Sequence, residues 1–362
     1  MATRIDVREL LMILELTPPD QNVLLIGRHG IGKSEILRGH FEKRSLPVVS
    51  FFLGQMSDPG ALIGLMHKDE ETGRSVFLPP YWWPKEDEPV VLFLDELNRA
   101  RPEILQSIHE LALHKTLAGK RLPAGSVVIS AVNEGDQYQL TDLDPALVSR
   151  FNLYEFGPTV EDWLVWASEN GVDDRVLSFI QQHDHFLDGE ETTEVEVMTH
   201  AGLIKTPDRR AWVKVSDFVK PIAELDELHV KAIAGMVGAA AAVAFRGSLQ
   251  ETLAVTAEQV FLAFGRHRKK LDKMPLQALV VLNEQMVLWL NAGHCPDKKK
   301  DKARENLLGY MQRLQEIGQR EAVAHLVSFL QNPKFENAMT FAAESLEIIA
   351  LLTDYVEGIR VS

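Results

Sequence analysis

The stretch that decides the fold reads Gly27-Arg28-His29-Gly30-Ile31-Gly32-Lys33-Ser34. It is a full match to the phosphate-binding pattern G-x-x-x-x-G-K-[ST]. An apolar run at 23–26, typical of a buried strand, precedes it, and a helical pattern begins at Glu35. Glycines let backbone N–H groups approach phosphates, and the helix N-terminus adds partial positive charge. We therefore expect Lys33 to reach the β- and γ-phosphates of a nucleotide and Ser34 to ligate Mg²⁺.

A second motif is the apolar run at 90–94 that ends in Asp95 and Glu96. Five apolar residues predict a strand buried on both faces. Open α/β sheets bind their ligands at the carboxyl ends of such strands. Asp95 is expected to hold the Mg²⁺ shell and Glu96 to polarise the attacking water. Taken alone, the pair is also compatible with a solvated strand end.

Two further elements follow along the chain. A strand-type run at 127–132 ends in Asn133, which can hydrogen-bond a γ-phosphate or the water, or can simply begin a turn. A short helix opened by Pro145 ends near Arg150. Its guanidinium suits the charge that develops on a transferring phosphoryl group. An arginine favoured by the helix dipole is the structural alternative.

These four elements, in this order, resemble the AAA+ ATPases. The segment 94–100, Leu-Asp-Glu-Leu-Asn-Arg-Ala, is similar to the second nucleotide motif of the MoxR-like branch. A short helix at 58–65 is followed by an apparent hairpin at 71–80, and this hairpin is similar to the one that interrupts the second helix in that branch. Another turn, at 117–120, lies before the Asn133 strand, where the larger clade carries a hairpin. The resemblance covers residues 1 to about 250.

The resemblance implies a homo-oligomeric ring, hexameric in such proteins, that binds ATP and Mg²⁺ between neighbouring subunits. Arg150 would reach into the neighbour's site. The work would be the remodelling of a protein partner, and relatives commonly act with a partner that carries a von Willebrand factor A domain. The groups acting within one chain would be the loop Gly27, Arg28, His29, Gly30, Ile31, Gly32, Lys33 and Ser34, with Asp95, Glu96, Asn133 and Arg210.

The position of the second sensor arginine is ambiguous. The segment Thr206-Pro207-Asp208-Arg209-Arg210-Ala211-Trp212 is similar to the family's Ser/Thr-Pro-Arg-x-Trp pattern but has one residue more. Alignment on Trp212 selects Arg210, which we prefer, and alignment on Pro207 selects Arg209.

Alternating strand and helix patterns over residues 1–156 predict an α/β fold, a P-loop parallel sheet with helices on both faces. The candidate strands lie at 23–26, 48–52, 90–94, 127–132 and 153–156. From 157 onward helical periodicity dominates, which predicts a helical lid at 157–250 and a C-terminal helical extension at 251–362. Trp82 and Trp83, bracketed by prolines, favour either a rigid contact surface or a cover over the sheet edge.

Composition indicates the cellular compartment in which the protein works. A single cysteine, Cys295, among 362 residues fits a reducing compartment, and the first residues have no apolar core of signal-peptide type. The small apolar stretch at 232–245 is too short to span a bilayer. We therefore expect a cytoplasmic protein without membrane insertion.

The net charge of −14 argues against broad nucleic-acid binding, although two basic runs, at 266–270 and 298–302, point the other way. A nucleic-acid-associated motor or a restriction-type NTPase subunit on the same fold is the alternative function.

Overall fold

The computed structural model describes residues 2–84, 88–133, 143–189, 205–249 and 255–360. The chain divides into two compact units, residues 1–159 and residues 160–362.

The first unit is built on a six-stranded sheet in which every neighbouring pair of strands is parallel. The strands are β1 Thr3–Ile5, β2 Asn22–Gly27, β3 Val48–Phe52, β6 Val91–Asp95, β9 Val127–Asn133 and β10 Phe151–Phe156. Their spatial order is β1-β10-β2-β9-β6-β3, so the strand that ends in Asn133 lies between the strand that leads into the glycine loop and the strand that ends in Asp95.

Alternating side chains of the central strands build the core on both faces of the sheet. Leu92 and Leu94 of β6 enter one hydrophobic cluster, whereas Val91 and Phe93 enter another. All five residues of β6 are buried, which is the burial that a near-continuous apolar run predicts. The helices of this unit are α1 Val7–Leu16, α2 Lys33–Glu42, α3 Gly60–Ile63, α4 Pro102–His114 and α5 Pro145–Val148. The predicted parallel α/β fold is thereby confirmed.

Two antiparallel hairpins occupy the places where the sequence predicts turns. The first joins β4 Leu65–Lys68 to β5 Ser75–Leu78, and the second joins β7 Thr116–Leu117 to β8 Lys120–Arg121. In the first hairpin Leu65, Met66 and Leu78 are exposed. By contrast, Trp82 and Trp83 are buried, and the indole N–H of Trp82 donates to the Ala61 carbonyl at 3.0 Å. The tryptophans therefore cover the core.

The described residues of the second unit form helices joined by turns and loops, with no strand among them. One hydrophobic cluster runs through it from Trp163 to Leu352 and includes side chains on both sides of residue 250. The division between lid and extension at 250–251 therefore stays a prediction. The helices are α6 Val160–Glu169, α7 Asp174–Gln182, α8 Arg209–Val219, α9 Glu227–Val237, α10 Ala239–Ser248, α11 Ala257–Leu271, α12 Leu276–Asn291, α13 Lys300–Glu316, α14 Arg320–Leu330, α15 Glu336–Ala343 and α16 Leu346–Arg360.

Candidate nucleotide site

The glycine loop links the carboxyl end of β2 to the start of α2. Gly30 and Gly32 have φ angles of 77° and 96°, the left-handed region in which glycine avoids the clash of a Cβ atom. A Cβ atom at Gly27 would lie 2.6 Å from the Phe156 carbonyl oxygen, whereas one at Gly30 would meet nothing within 4 Å. The loop is thus packed against the sheet at its first glycine and open above its middle. That arrangement fits phosphate groups held by backbone N–H donors at the N-terminus of α2.

Lys33 is the first residue of α2, and its ammonium group lies at the end of the sheet. Its Nζ donates to the Gly27 carbonyl at 2.7 Å, to the Arg28 carbonyl at 3.0 Å and to Asn133 Oδ1 at 2.7 Å. Lys33 is only 5% exposed, so these acceptors offset the cost of burying its charge. Gly27 at the end of β2 and Asn133 at the end of β9 are register partners. Because Lys33 binds the Gly27 carbonyl, this pairing brings its ammonium group next to the Asn133 side chain. Ser34 follows within the first turn of α2.

The two acidic residues follow one another at the carboxyl end of β6. Asp95 is buried, and its Oδ1 accepts the backbone N–H of Glu96 at 2.9 Å. Glu96 has φ 58° and ψ 42°, a left-handed conformation that is uncommon for a residue with a side chain and that surrounding structure must hold in place. Arg99 donates to Glu96 Oε1 at 3.0 Å. A Cβ atom at position 54 would lie 2.7 Å from Glu96 Oε2, so Gly54 leaves the room that this ion pair needs.

Because β6 pairs with β9, and β9 with β2, the ends of the three strands bring Lys33, Asp95 and Asn133 to one edge of the sheet. Carboxylate and hydroxyl oxygens are ligands that Mg²⁺ accepts, usually together with phosphate oxygens and water. Among the described residues, no three His, Cys, Asp or Glu side chains form a metal-binding group of their own. The residues present fit a Mg²⁺ ion held jointly by Asp95, Ser34 and a nucleotide.

Asn98 is a residue of this edge to which the sequence alone assigns no role. It lies in the short 3₁₀ turn Leu97–Arg99, is 3% exposed, and donates from Nδ2 to the Asn133 carbonyl at 3.2 Å. The contact joins the turn after the acidic pair to the end of β9.

Arg150 lies at the opposite end of the sheet. It directly precedes Phe151, the β10 residue paired with Asn22 at the amino end of β2, whereas the glycine loop begins at Gly27. Five residues of extended strand correspond to about 16 Å. Arg150 is therefore well separated from the Lys33 edge of its own chain, and its side-chain contacts are with His109 of α4.

The two candidate sensor arginines have different surroundings in the second unit. Arg209 is 7% exposed and pairs with Asp188, Nε and Nη2 lying 2.9 and 2.8 Å from Oδ2. Arg210 is exposed on the same helix. The additional Asp208 is the N-cap of α8, since its Oδ1 accepts the Ala211 N–H at 2.7 Å. These contacts give Arg209 a structural partner and favour Arg210 as the arginine available to a ligand.

Comparison with known proteins agrees with this architecture. Residues 22–151 match the AAA domain family, dynein-related subfamily. A protein named "Putative chaperone BssE" from Thauera aromatica is 33% identical over 162 residues, which represent 42% of this chain and 56% of that protein. The chain thus spans little more than half the length of this curated relative. The match of residues 22–151 to this family model confirms the AAA+ resemblance predicted from the sequence.

Solved structures resemble this chain at a lower sequence identity. NtrX from Brucella abortus in complex with ADP has a TM-score of 0.37 and 13% identity, covering 86% of this chain and 67% of that one. A mutant form of RuvB from Thermotoga maritima also has a TM-score of 0.37 and 13% identity, covering 72% of this chain and 74% of that one. In the described residues, no helix has the length and apolar character needed to cross a membrane.

Proposed function

We propose that this chain is a MoxR-like AAA+ ATPase that hydrolyses ATP with Mg²⁺. The observation that carries the proposal is the hydrogen bond of 2.7 Å between Lys33 Nζ and Asn133 Oδ1, at the edge where β6 delivers Asp95 and Glu96. A cation, an amide and two carboxylates converge there beside a glycine loop that is open to phosphates. Such a constellation can bind a nucleoside triphosphate and activate water for attack on its terminal phosphate.

Each side chain has a distinct part in the proposed reaction. Lys33 exchanges part of its present hydrogen bonding for the β- and γ-phosphate oxygens. Ser34 and Asp95 would hold Mg²⁺, which supplies positive charge to the phosphates. Glu96, once turned from Arg99, accepts a proton from the attacking water, and Asn133 orients that water or the γ-phosphate. Arg210 would act as the second sensor on the nucleotide of its own chain.

The position of Arg150 supports a ring assembly. A residue about 16 Å along the sheet from the glycine loop is badly placed for the nucleotide of its own chain. In a homo-oligomeric ring, which we propose to be hexameric, the same residue would contact the nucleotide of the neighbouring subunit. Its guanidinium would then stabilise the charge on the transferring phosphoryl group.

The partner in this proposal is a protein that the ring remodels or activates. The name of the Thauera aromatica relative supports a chaperone-like role. The hairpin formed by β4 and β5 exposes apolar side chains that suit a protein contact, namely Leu65, Met66, Val76, Phe77 and Leu78. A partner with a von Willebrand factor A domain and a cytoplasmic setting are proposed from the MoxR-like resemblance and from the single cysteine.

The nucleic-acid alternative has less support. Several cations of the basic runs pair with acidic neighbours, including Arg268 with Glu316 at 3.0 Å and Lys302 with Glu305 at 2.7 Å. These pairs reduce the positive charge that a phosphate backbone would meet, and the net charge of the chain is −14.

Mixed rings test the proposed division of labour. Arg150→Ala should bind ATP normally and lose about 10³- to 10⁵-fold in turnover, the range known for arginines that act on a neighbour's phosphoryl group. Lys33→Ala should lose nucleotide binding. Subunits of the two variants, mixed and shown to share rings, should recover activity because each supplies the group that the other lacks.

The matched control mixes Lys33→Ala with Glu96→Gln. Both variants then lack a group that acts within its own chain, so no site is complete and activity should stay absent. If Arg150→Ala and Lys33→Ala subunits share rings but ATPase activity does not recover, the action of Arg150 on a neighbour is contradicted.

A further inference from the structure

The guanidinium of Arg150 is held by one nitrogen only. Its Nη1 lies 2.9 Å from the His109 carbonyl oxygen and 2.9 Å from His109 Nδ1, so its two hydrogens have two acceptors on the same residue. In the part of the chain that the structure describes, Nε and Nη2 of Arg150 have no hydrogen-bond partner. The free edge formed by Nε and Nη2 is one that binds two oxygens of a phosphate or carboxylate side by side.

The contact gives the two nitrogens of the imidazole ring different neighbours. Arginine nitrogens carry only donors, so His109 Nδ1 must act as the acceptor. The other ring nitrogen, Nε2, lies 3.8 Å from Asp144 Oδ2. Asp144 also caps α5, since its Oδ1 accepts the Ala146 N–H at 2.9 Å. Asp144, at the start of the short helix that leads to Arg150, thus also lies beside the His109 ring that holds Arg150.

The backbone of Arg150 is fixed to the same part of α4. Asn22, which is 3% exposed, donates from Nδ2 to the Arg150 carbonyl at 2.9 Å and to the Ala112 carbonyl at 2.8 Å. Ala112 is in the last turn of α4, where carbonyls lack partners within the helix. The partial negative charge at this helix end also favours a nearby guanidinium. Both the backbone and the side chain of Arg150 are therefore aligned by α4.

We propose that His109 is a positioning residue for Arg150. It fixes Nη1 through its Nδ1 and its carbonyl oxygen, and so turns the edge of Nε and Nη2 outward, toward phosphate oxygens in the neighbouring subunit. This inference rests on the proposed function, in which Arg150 completes a neighbour's site. His109 itself touches neither the nucleotide nor the water in this arrangement, and its effect on turnover passes through Arg150.

Substitutions that separate the two ring nitrogens test the proposal. The oxygen of an asparagine side chain falls near the position of Nδ1, whereas the oxygen of glutamine falls near Nε2. His109→Asn should therefore keep turnover within about twofold of wild type. His109→Gln and His109→Leu should lose about tenfold, since a small misplacement of a group in the reaction can cost up to about 10²-fold. The affinity for ATP, measured with a non-hydrolysable analogue, should not change in any of the three.

A double-mutant cycle distinguishes positioning from a general structural role. In the Arg150→Ala background, His109→Gln should cause no further loss of turnover because the residue through which it acts is gone. His114→Leu is the matched control, as an exposed histidine just over one turn further along α4, and should behave as wild type.

Two outcomes would overturn the role of His109. The first is wild-type turnover in both His109→Gln and His109→Leu while the turnover of Arg150→Ala is slow. The second is a loss for His109→Gln that is equally large with and without Arg150. Either leaves the proposed function intact. Wild-type turnover in Arg150→Ala would instead overturn the action of Arg150 on a neighbour, and the role of His109 with it.

Discussion

The α/β unit and the helical unit both bury asparagines, but they use them differently. In the helical unit, Asn283 is fully buried, donates to the Ala322 carbonyl at 2.8 Å and accepts the Tyr310 hydroxyl at 2.8 Å. Asn306 donates to the Phe261 carbonyl at 2.7 Å. These contacts join α12 to α13 and α14, and α11 to α13. They are contacts between protein groups, and they hold helices together.

At the strand ends of the α/β unit, the asparagines lie beside charged groups. Asn133 binds the terminal amine of a long lysine side chain, and Asn98 Oδ1 is buried without a partner among the described protein atoms. An unpaired buried acceptor carries a cost, so its presence beside a lysine and two carboxylates calls for an explanation other than packing. The comparison teaches that the buried amides of the helical unit connect helices, whereas those at the carboxyl ends of β6 and β9 lie beside the charged groups of the candidate site.

The largest effect on stability is expected where the amide is saturated. Asn283→Ala leaves the Tyr310 hydroxyl and the Ala322 carbonyl buried without their partner, and it opens a small cavity. We expect the free energy of unfolding to fall by about 2–4 kcal/mol. Denaturant unfolding measures this. Nucleotide affinity of the folded protein should stay unchanged, because the residue lies in the helical unit and outside the strand ends.

Gln277→Ala is the matched control for that experiment, since Gln277 is an exposed polar residue on the same helix. Its effect should stay within about 0.5 kcal/mol. Equal stability of the Asn283 and Gln277 variants would remove the distinction between the two uses of buried amides.

A smaller effect, of opposite sign, is expected at Lys115, which follows α4 in the α/β unit. Its Nζ is buried without a hydrogen-bond partner among the described residues. Burial lowers the pKa of Lys115 from 10.5 to about 8, and the charge of Asp20 offsets part of this shift. Below pH 8 the folded chain keeps the Lys115 amine charged, although it is buried without a hydrogen-bond partner among the described residues. Lys115→Met should therefore raise the free energy of unfolding at pH 7 by about 1 kcal/mol.

The pH dependence gives the sign of that prediction. Between about pH 8 and 10.5 the unfolded chain binds a proton that the folded chain does not, so wild-type stability should rise and the advantage of Lys115→Met should shrink. Lys43→Met, at an exposed lysine, is the control. An advantage that grows from pH 7 to pH 10 would contradict the account of Lys115.

Sequence patterns predicted the sheet well because its signals are local. Glycines, a lysine and an apolar run define the loop and the strands before any tertiary contact forms. Strand β1 was missed because Thr3–Ile5 has three residues, of which only Ile5 is buried, and its conformation comes from pairing with β10. The sequence leaves Arg209 and Arg210 as alternatives because the contact between Arg209 and Asp188, 21 residues away in the chain, has no local signal. His109 carried no signal, because its role depends on the fold that brings Arg150 to it.

The central claim is that the strand ends form an ATP-hydrolysing site, and Glu96→Gln tests it most directly. This change removes the carboxylate that accepts a proton from water but leaves Lys33, Ser34 and Asp95 in place. With Mg²⁺ present, ATP affinity should stay near that of wild type while steady-state turnover falls by about 10²- to 10⁴-fold. Equal ATPase rates for wild type and Glu96→Gln, at equal affinity, would contradict the assignment of the site.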